Sequence, residues 1–156
     1  MIAVGIDPGQ SGAIAIVDSD DGIIGCHDMP VADGAVSAVL VHRILAGHGH
    51  IDLAVIENVH SMPRQGVVSS FKFGRSKGVV EGVVAALRIP VEMPSPAAWK
   101  KAMGVSADKD SSRAKALGLH PIHADLFVRV KDADRAEAVL LAEWGLRLLA
   151  ERRAVA

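Results

Sequence analysis

A short apolar run at the start of the chain, ended by an acidic residue and a turn, constrains the fold most strongly. The run Ile2-Ala3-Val4-Gly5-Ile6 is long enough for a buried strand, and Asp7-Pro8-Gly9 follows it directly. Pro cannot donate a hydrogen bond to a sheet and Gly readily adopts positive φ, so the strand must end at this turn. A second apolar run extends from Ala13 to Val17. The two runs are therefore predicted to form an antiparallel hairpin.

Asp7 itself allows two interpretations. A carboxylate within an apolar unit costs free energy unless it is paired or holds a cation. An Asp beside Pro-Gly, however, commonly hydrogen-bonds to its own backbone. The hairpin alone does not decide between a ligand and a turn residue, so the rest of the chain must.

Further strand-sized runs extend the hairpin into a sheet. Ser19-Asp20-Asp21-Gly22 is a strong turn signal and residues 23–26 supply a third strand, which predicts a three-stranded antiparallel meander. The run 53–56 has no polar alternation, which is typical of a central parallel strand buried on both faces. It too ends in a carboxylate, Glu57. A fifth strand at 89–93 is placed at an edge because it contains a proline.

Helical spacing of apolar residues and capping signals predict helices between and after the strands. Gly74, Gly78 and Gly82 share one face of the second helix, and three helix-destabilising glycines need the close approach of a partner to compensate. That partner could be internal or the same helix of a second subunit. The predicted helices span 35–46, 69–87, 96–101, 113–119 and 132–152.

Four carboxylates are candidates for a metal centre. Asp134 and Glu137 are three residues apart near the start of the last helix, so they project together. The helix dipole favours acids there, which is the simpler explanation, but it does not require two on one side. If this helix packs over the strand ends, both acids meet Asp7 and Glu57, and hard divalent cations would relieve the repulsion. Two Mg²⁺ or Mn²⁺ ions could then activate a water for phosphodiester hydrolysis.

The charged residues are distributed unevenly, although the net charge is only −1. Residues 1–63 contain one basic residue against eight acidic ones, whereas residues 64–115 contain ten basic against four acidic. An acidic part beside a basic part is typical of a metal centre flanked by a phosphate-binding surface. Any solvated surface shows such fluctuations, but a swing of this size favours the functional interpretation modestly.

Length and composition predict one domain, residues 1–156, in the cytoplasm. Half of the 156 residues are hydrophobic, which is enough for a packed core. The apolar runs are strand-sized and the start lacks the features of a signal peptide, so we expect no membrane partner. The lone Cys26 can form no internal disulfide, which fits a reducing compartment.

Four places that together cover nearly the whole chain match the pattern of a known family: Ile6-Asp7-Pro8-Gly9, Ile56-Glu57, residues 69–78 and Asp134-Arg135-Ala136-Glu137-Ala138. Taken together, they resemble RuvC-type Holliday junction resolvases, and the final Asp and Glu pair is closer to the bacteriophage-encoded branch, which would act in a bacterial host cell. The resemblance implies an RNase H-like α/β fold: a mixed five-stranded sheet, with the antiparallel meander and parallel strands, flanked by helices.

The resemblance also implies a function, that of a crossover junction endodeoxyribonuclease. Such a protein acts as a homodimer through the helix at 69–87 and makes paired nicks in four-way DNA junctions with Mg²⁺ or Mn²⁺. The four carboxylates would hold the ions and be catalytic, and Lys100 or Lys101 and Lys109 would activate water or hold phosphate. The remaining candidates for DNA binding are Arg64, Gln65, Lys72, Arg75, Lys77 and Arg113. For any single basic residue, a solvated helix face remains the simpler explanation.

One position departs from the pattern of the bacterial members. Those members have an aromatic residue three positions after the strand-end Glu, where it wedges into the junction. Here that position is His60, which becomes the candidate for opening the junction. Opening could instead depend on the loop 62–65, and the preferred cleavage site is open for the same reason.

Two other functions remain as alternatives. The turn from Asp7 to Gly12 also resembles the phosphate hairpin of actin-like nucleotide-binding domains, although the chain lacks the length for the second lobe of such proteins. A junction-binding protein without catalysis is the other, and the complete set of four acids argues against it.

Overall fold

A mixed five-stranded β-sheet forms the centre of the structure, a computed structural model that describes residues 1–59 and 66–155. Within those residues the strands are β1 (Ile2–Ile6), β2 (Ala13–Asp18), β3 (Gly22–Asp28), β4 (Val31–Ala32), β5 (Ala35–Val36), β6 (Leu53–Ile56) and β7 (Val91–Glu92). The order across the main sheet is β3-β2-β1-β6-β7, while β4 and β5 pair with each other separately. The predicted mixed five-stranded sheet is confirmed.

The register of the sheet brings two acids to one edge. β1 pairs with β2 antiparallel and with β6 parallel, so that Ile6 lies opposite both Ile14 and Ile56. β2 and β3 continue the antiparallel meander, and β6 and β7 are parallel. Because β1 and β6 run in the same direction and end level with each other, Asp7 and Glu57 emerge side by side at their carboxyl ends.

Helices cover both faces of the sheet. Two short 3₁₀ segments, Pro121–Phe127 and Val130–Asp132, precede the last helix. No helix in the described part of the chain combines the length and apolar character needed to cross a membrane. The helices are α1 (Ala38–Ala46), α2 (Val67–Ala86), α3 (Pro96–Met103), α4 (Lys109–Leu119) and α5 (Ala133–Val155).

The alternating residues of β1 face two separate core clusters. Val4 and Ile6 pack in the cluster that receives α1 and α2, whereas Ala3 packs in the cluster that receives α3, α4 and α5. Gly5 also faces α5, and the contact is very close: a Cβ added at Gly5 would lie 2.0 Å from the backbone oxygen of Ala138. Glycine is thus required here for α5 to lie directly on the central strand.

The first predicted helix, 35–46, was wrong at its start. Ser37 caps α1 by accepting a hydrogen bond from the Leu40 N–H, so the helix begins at the next residue. The two residues before Ser37 pair instead with Val31–Ala32 as a small hairpin. The apolar spacing extends through Ala35 and Val36 without a break, so it does not distinguish this short strand from the helix that follows it.

The other helices agree with the prediction apart from their ends. The helix predicted at 113–119 begins earlier, at Lys109, because the Asp108 side chain accepts from the Asp110 N–H and caps it. The helices predicted at 69–87 and 132–152 correspond to α2 and α5, and the edge strand predicted at 89–93 is the shorter β7.

Candidate active site

The site begins with Asp7 at the end of β1. The Asp7 N–H donates to the carbonyl of Ala13 over 3.0 Å, which closes the hairpin directly behind the carboxylate. Gly12 allows this tight closure, because a Cβ there would lie 2.1 Å from the Asp7 backbone oxygen. Glu57 is fixed in the same way at the end of β6, since its N–H donates to the carbonyl of Ile6 over 3.1 Å.

α5 brings two further carboxylates over the strand ends. One carboxylate oxygen from each of Asp7, Asp134 and Glu137 lies within 4.8 Å of the others. The spacing of Asp134 and Glu137 on α5 and the close contact of α5 with Gly5 together produce this convergence. Glu57 lies beside this group of three, close enough for its charge to act on Asp7 and to be acted on by Glu137.

Mutual repulsion and burial favour protonation in this cluster. Burial raises the pKa of Asp7 from 3.8 to about 7, and the charges of Glu57 and Asp134 act in the same direction. Burial also raises the pKa of Glu57, although a hydrogen bond from Trp99 opposes that shift. An acid that keeps its proton near neutral pH indicates that the site has too little positive charge to stabilise all of its carboxylates in the ionised form.

The chemistry of the donor set fits a divalent ion. All the converging groups are carboxylates, which are the ligands that Mg²⁺ and Mn²⁺ prefer over nitrogen or sulfur. The three oxygens within 4.8 Å of one another are near enough to share ions between them. Asp7, Asp134 and Glu137 would be the first ligands, with Glu57 adjacent to them.

Two lysines already supply part of the missing charge. Lys100 on α3 donates to Glu137 Oε1 over 2.6 Å, and Lys109 at the start of α4 donates to Asp134 Oδ1 over 2.7 Å. The bond to Asp134 and the neighbouring acids raise the pKa of Lys109 above its usual range. Ser112, one turn further along α4, donates to Glu137 Oε1 over 3.3 Å. The site is therefore lined by acids and by basic groups that could meet a phosphate.

The remaining DNA-binding candidates fall into two groups. Lys72, Arg75 and Lys101 are exposed to solvent. In contrast, Lys77 donates to Asn58 Oδ1 over 2.6 Å, and its side chain is only 17% exposed. The contacts of Lys77 tie α2 to the residue after Glu57, and its binding to DNA stays a prediction.

Arg113 is engaged in a similar way. Its guanidinium donates to Asp110 Oδ1 and to the carbonyls of Phe127 and Val128. Those bonds fasten α4 to the end of the 3₁₀ segment Pro121–Phe127. His60, Arg64, Gln65 and the loop 62–65 lie outside the described residues.

Two residues at the site were missed as functional candidates from the sequence. Trp99 donates from its indole Nε1 to Glu57 Oε1 over 2.8 Å, and Ser112 contacts Glu137. Both lie in short helices in which the basic residues, and not Trp99 or Ser112, were predicted to be functional. The available signal was their neighbourhood: Trp99 directly precedes Lys100, and Ser112 follows Lys109 by three positions.

The glycine face of α2 is open. Apart from the glycine's own chain neighbours and the adjacent backbone of α2, no atom of the described residues lies within 4 Å of a Cβ added at Gly74, Gly78 or Gly82. α1 and α2 border an apolar groove of about 470 Å³ along this face. Val39, which lines the groove, is 68% exposed. Within the described residues, the partner that the glycines were predicted to need is therefore not an internal helix.

Comparison with known proteins yields likeness in structure alone. No protein-family model matches the chain, and no curated protein matches it by sequence. Thermus thermophilus RuvC in complex with a Holliday junction substrate is 17% identical, with a TM-score of 0.69 over 95% of this chain and 96% of that one.

Two other solved structures share the architecture. The fowlpox virus Holliday junction resolvase is 17% identical, with a TM-score of 0.58 over 96% of this chain and 99% of that one. The yeast mitochondrial Holliday junction resolvase is 13% identical, with a TM-score of 0.57 over 97% of this chain and 82% of that one. At identities this low, the structural likeness establishes the fold alone. The predicted RuvC-type, RNase H-like architecture is confirmed.

Proposed function

We propose, from the RuvC-type fold as a premise, that the chain is a metal-dependent endonuclease that resolves four-way DNA junctions and other branched DNA. The observation that carries this proposal is the convergence of Asp7, Asp134 and Glu137 within 4.8 Å, with Glu57 beside them, at the carboxyl ends of β1 and β6. The solved structures with this architecture are Holliday junction resolvases, and one of them is bound to its junction substrate.

The carboxylates would serve as ligands for Mg²⁺ or Mn²⁺. When bound, a pair of such ions activates water for attack on phosphorus and stabilises the leaving oxygen. Asp7 lies close enough to Asp134 and Glu57 for both of their charges to act on it, so it would help to hold an ion together with either acid. Release of the Asp7 proton would accompany binding, since a carboxylate must be ionised to act as a ligand.

The basic side chains would bind and orient the DNA backbone. Without metal or DNA, Lys100 donates a hydrogen bond to Glu137 and Lys109 donates one to Asp134. Once ions neutralise the cluster, both lysines would exchange these bonds for contacts with phosphate oxygens. Ser112 would keep Glu137 in place when Lys100 leaves. The exposed residues Lys72, Arg75 and Lys101 would contact phosphates farther from the cut.

Paired nicks require two sites, and the open face of α2 supports a homodimer. Gly74, Gly78 and Gly82 allow two helices to approach closely, and the apolar groove beside them would be covered in the same contact. A four-way junction has two-fold symmetry, so a two-fold dimer would present one active site to each of two strands.

The decisive experiment is the Asp7→Asn variant on synthetic four-way, three-way and linear DNA, with and without Mg²⁺ or Mn²⁺. We expect the wild type to nick branched DNA only with metal, and the variant to lose at least 100-fold in rate while still binding the junction. Asp125→Asn is the matched control, because Asp125 is an exposed acid outside the cluster. It should keep wild-type activity.

Three outcomes would contradict the proposal. Nicking by Asp7→Asn at the wild-type rate would remove the assignment of the site. Junction binding by the wild type without any metal-dependent cleavage would favour a non-catalytic junction-binding protein. Thermal stabilisation by a nucleotide, without cleavage, would favour the actin-like alternative.

A further inference from the structure

Trp99 and Glu57 form a buried side-chain pair directly beside the carboxylate cluster. The indole Nε1–H donates to Glu57 Oε1 over 2.8 Å. The Trp99 side chain is completely buried, and Glu57 is 7% exposed. An indole N–H is a donor only and needs an acceptor when it is buried, while a buried carboxylate needs a donor. Each side chain therefore satisfies the other.

The backbone around both partners is fixed. The Asn58 N–H donates to the Pro94 carbonyl over 2.9 Å, which ties the end of β6 to the residues before α3. Ser95 caps α3 by accepting from the Ala98 N–H. The Trp99 ring packs in the core cluster on the α5 side of the sheet. The indole is thus a donor at a fixed point rather than a mobile one.

The next residue of α3 acts on the same site. Lys100 donates to Glu137, and its ammonium lies 5.3 Å from the centroid of the Trp99 ring. Two consecutive residues of one short helix therefore hold one acid from β6 and one from α5. In the described residues, α3 connects these two acids although it supplies no carboxylate itself.

We propose, on the premise of the function above, that Trp99 is a positioning residue for metal binding. Its N–H holds Oε1 of Glu57 in one place, so that Oε2 is the carboxylate oxygen left to bind an ion. A ligand that is held before the ion arrives loses less freedom when the ion binds, and removal of such an outer partner typically weakens metal affinity 10- to 100-fold.

The test compares Trp99→Phe with Trp144→Phe. Phenylalanine keeps most of the buried ring and removes the N–H donor, whereas Trp144 is a half-buried residue of α5 that packs against the same core cluster. Mn²⁺ binding is measured by titration calorimetry, and nicking of a four-way junction is measured against Mn²⁺ concentration. Thermal unfolding reports the structural effect of each change.

We expect Trp99→Phe to raise the Mn²⁺ concentration for half-maximal binding and nicking by about tenfold. The rate at saturating Mn²⁺ and the affinity for junction DNA should stay near wild type, and Trp144→Phe should change neither. A folded Trp99→Phe protein with wild-type metal dependence would overturn the proposal, because a purely structural indole would alter only the unfolding midpoint.

A spectroscopic measurement covers the case in which Trp99→Phe does not fold. The Trp144→Phe protein has Trp99 as its one indole, so its single indole N–H proton resonance reports on the bond to Glu57. That resonance should shift on addition of Mg²⁺, and a resonance that stays in place at saturating Mg²⁺ would overturn the inference. Wild-type protein that neither binds Mn²⁺ nor nicks would overturn the proposed function as well.

Discussion

At the scale of single residues, the ionised Asp7 side chain destabilises the folded protein but is suited to bind a metal ion. Burial and the neighbouring acids raise the pKa of Asp7 to about 7, whereas its ordinary value is 3.8. The folded protein therefore holds this proton more tightly than the unfolded chain does. The contribution of Asp7 to the free energy of unfolding must decrease as the pH rises from about 4 to about 7. A divalent ion would remove this cost by replacing the proton.

This linkage predicts that Asp7→Asn stabilises the metal-free protein. The gain in the free energy of unfolding should be smaller at pH 5 than at pH 8, where it reaches on the order of a few kcal/mol. Urea denaturation in the presence of a chelator measures it at both pH values. The control Asp125→Asn should show no such pH-dependent gain. Equal stability of Asp7→Asn and wild type at pH 8 would contradict the raised pKa.

Lys100 competes with a cation for Glu137, which yields a second prediction at this scale. Lys100→Met removes the ammonium that lies 2.6 Å from Glu137 Oε1. Mn²⁺ affinity should rise about fivefold to tenfold, since a like charge leaves the site, while the nicking rate falls because a phosphate contact is lost. Calorimetry and a nicking assay measure the two effects. Lys101→Met, an exposed neighbour, should leave Mn²⁺ affinity unchanged.

At the scale of elements, glycines serve two opposite purposes. Gly5 and Gly145 lie where α5 touches the sheet, and a Cβ at Gly145 would be 2.8 Å from a side-chain carbon of Val55. In the part of the chain that the structure describes, the α2 glycines have no such neighbour. The first pair permits contact within the chain, and Gly78 and Gly82 of the α2 set border the groove that the proposed dimer would cover.

The difference can be measured with one substitution at each kind of site. Gly78→Leu should preserve the fold and convert the proposed dimer to a monomer, because its side chain extends into open space where a partner helix would lie. Gly5→Ala should destabilise the fold by several kcal/mol, since α5 must move away from β1. Thermal unfolding and analytical ultracentrifugation report both results. A Gly78→Leu protein that sediments as the wild type does would contradict the proposed interface.

At the scale of the whole molecule, the charges are separated while their sum is close to zero. The net charge of −1 would not draw the protein to DNA as a whole. Of the eight acids in residues 1–63, Asp7 and Glu57 lie at the candidate metal centre, where ions would reverse the local sign of the charge. The basic residues between 64 and 115 include both the lysines at the cluster and the exposed set on α2 and α3.

This separation predicts steep salt dependence of junction binding. The logarithm of the binding constant should fall linearly with the logarithm of salt concentration. Lys72→Gln and Arg75→Gln should each reduce the slope by about one, if each side chain neutralises one phosphate. Arg153→Gln, an exposed charge near the far end of α5, is the control and should leave the slope unchanged. Salt-independent binding would contradict a backbone-based interface.

Features that depend on neighbouring residues could be predicted from the order of the amino acids alone. The individual strands, the turn after Asp7 and the joint projection of Asp134 and Glu137 follow from local patterns. The mixed five-stranded arrangement of the strands was predicted from the resemblance to a known family. Helix starts were less accurate at Ala35 and Lys109, because caps at Ser37 and Asp108 decide them and apolar spacing does not record a cap.

Contacts between residues far apart in the chain depend on how the helices and strands pack against one another. The distance between Asp7 and the acids of α5 depends on the close packing of α5 over Gly5, which no local pattern encodes. The bonds of Trp99 to Glu57 and of Lys77 to Asn58 join residues 42 and 19 positions apart. Their roles follow from burial, since a buried donor must find an acceptor wherever the fold provides one.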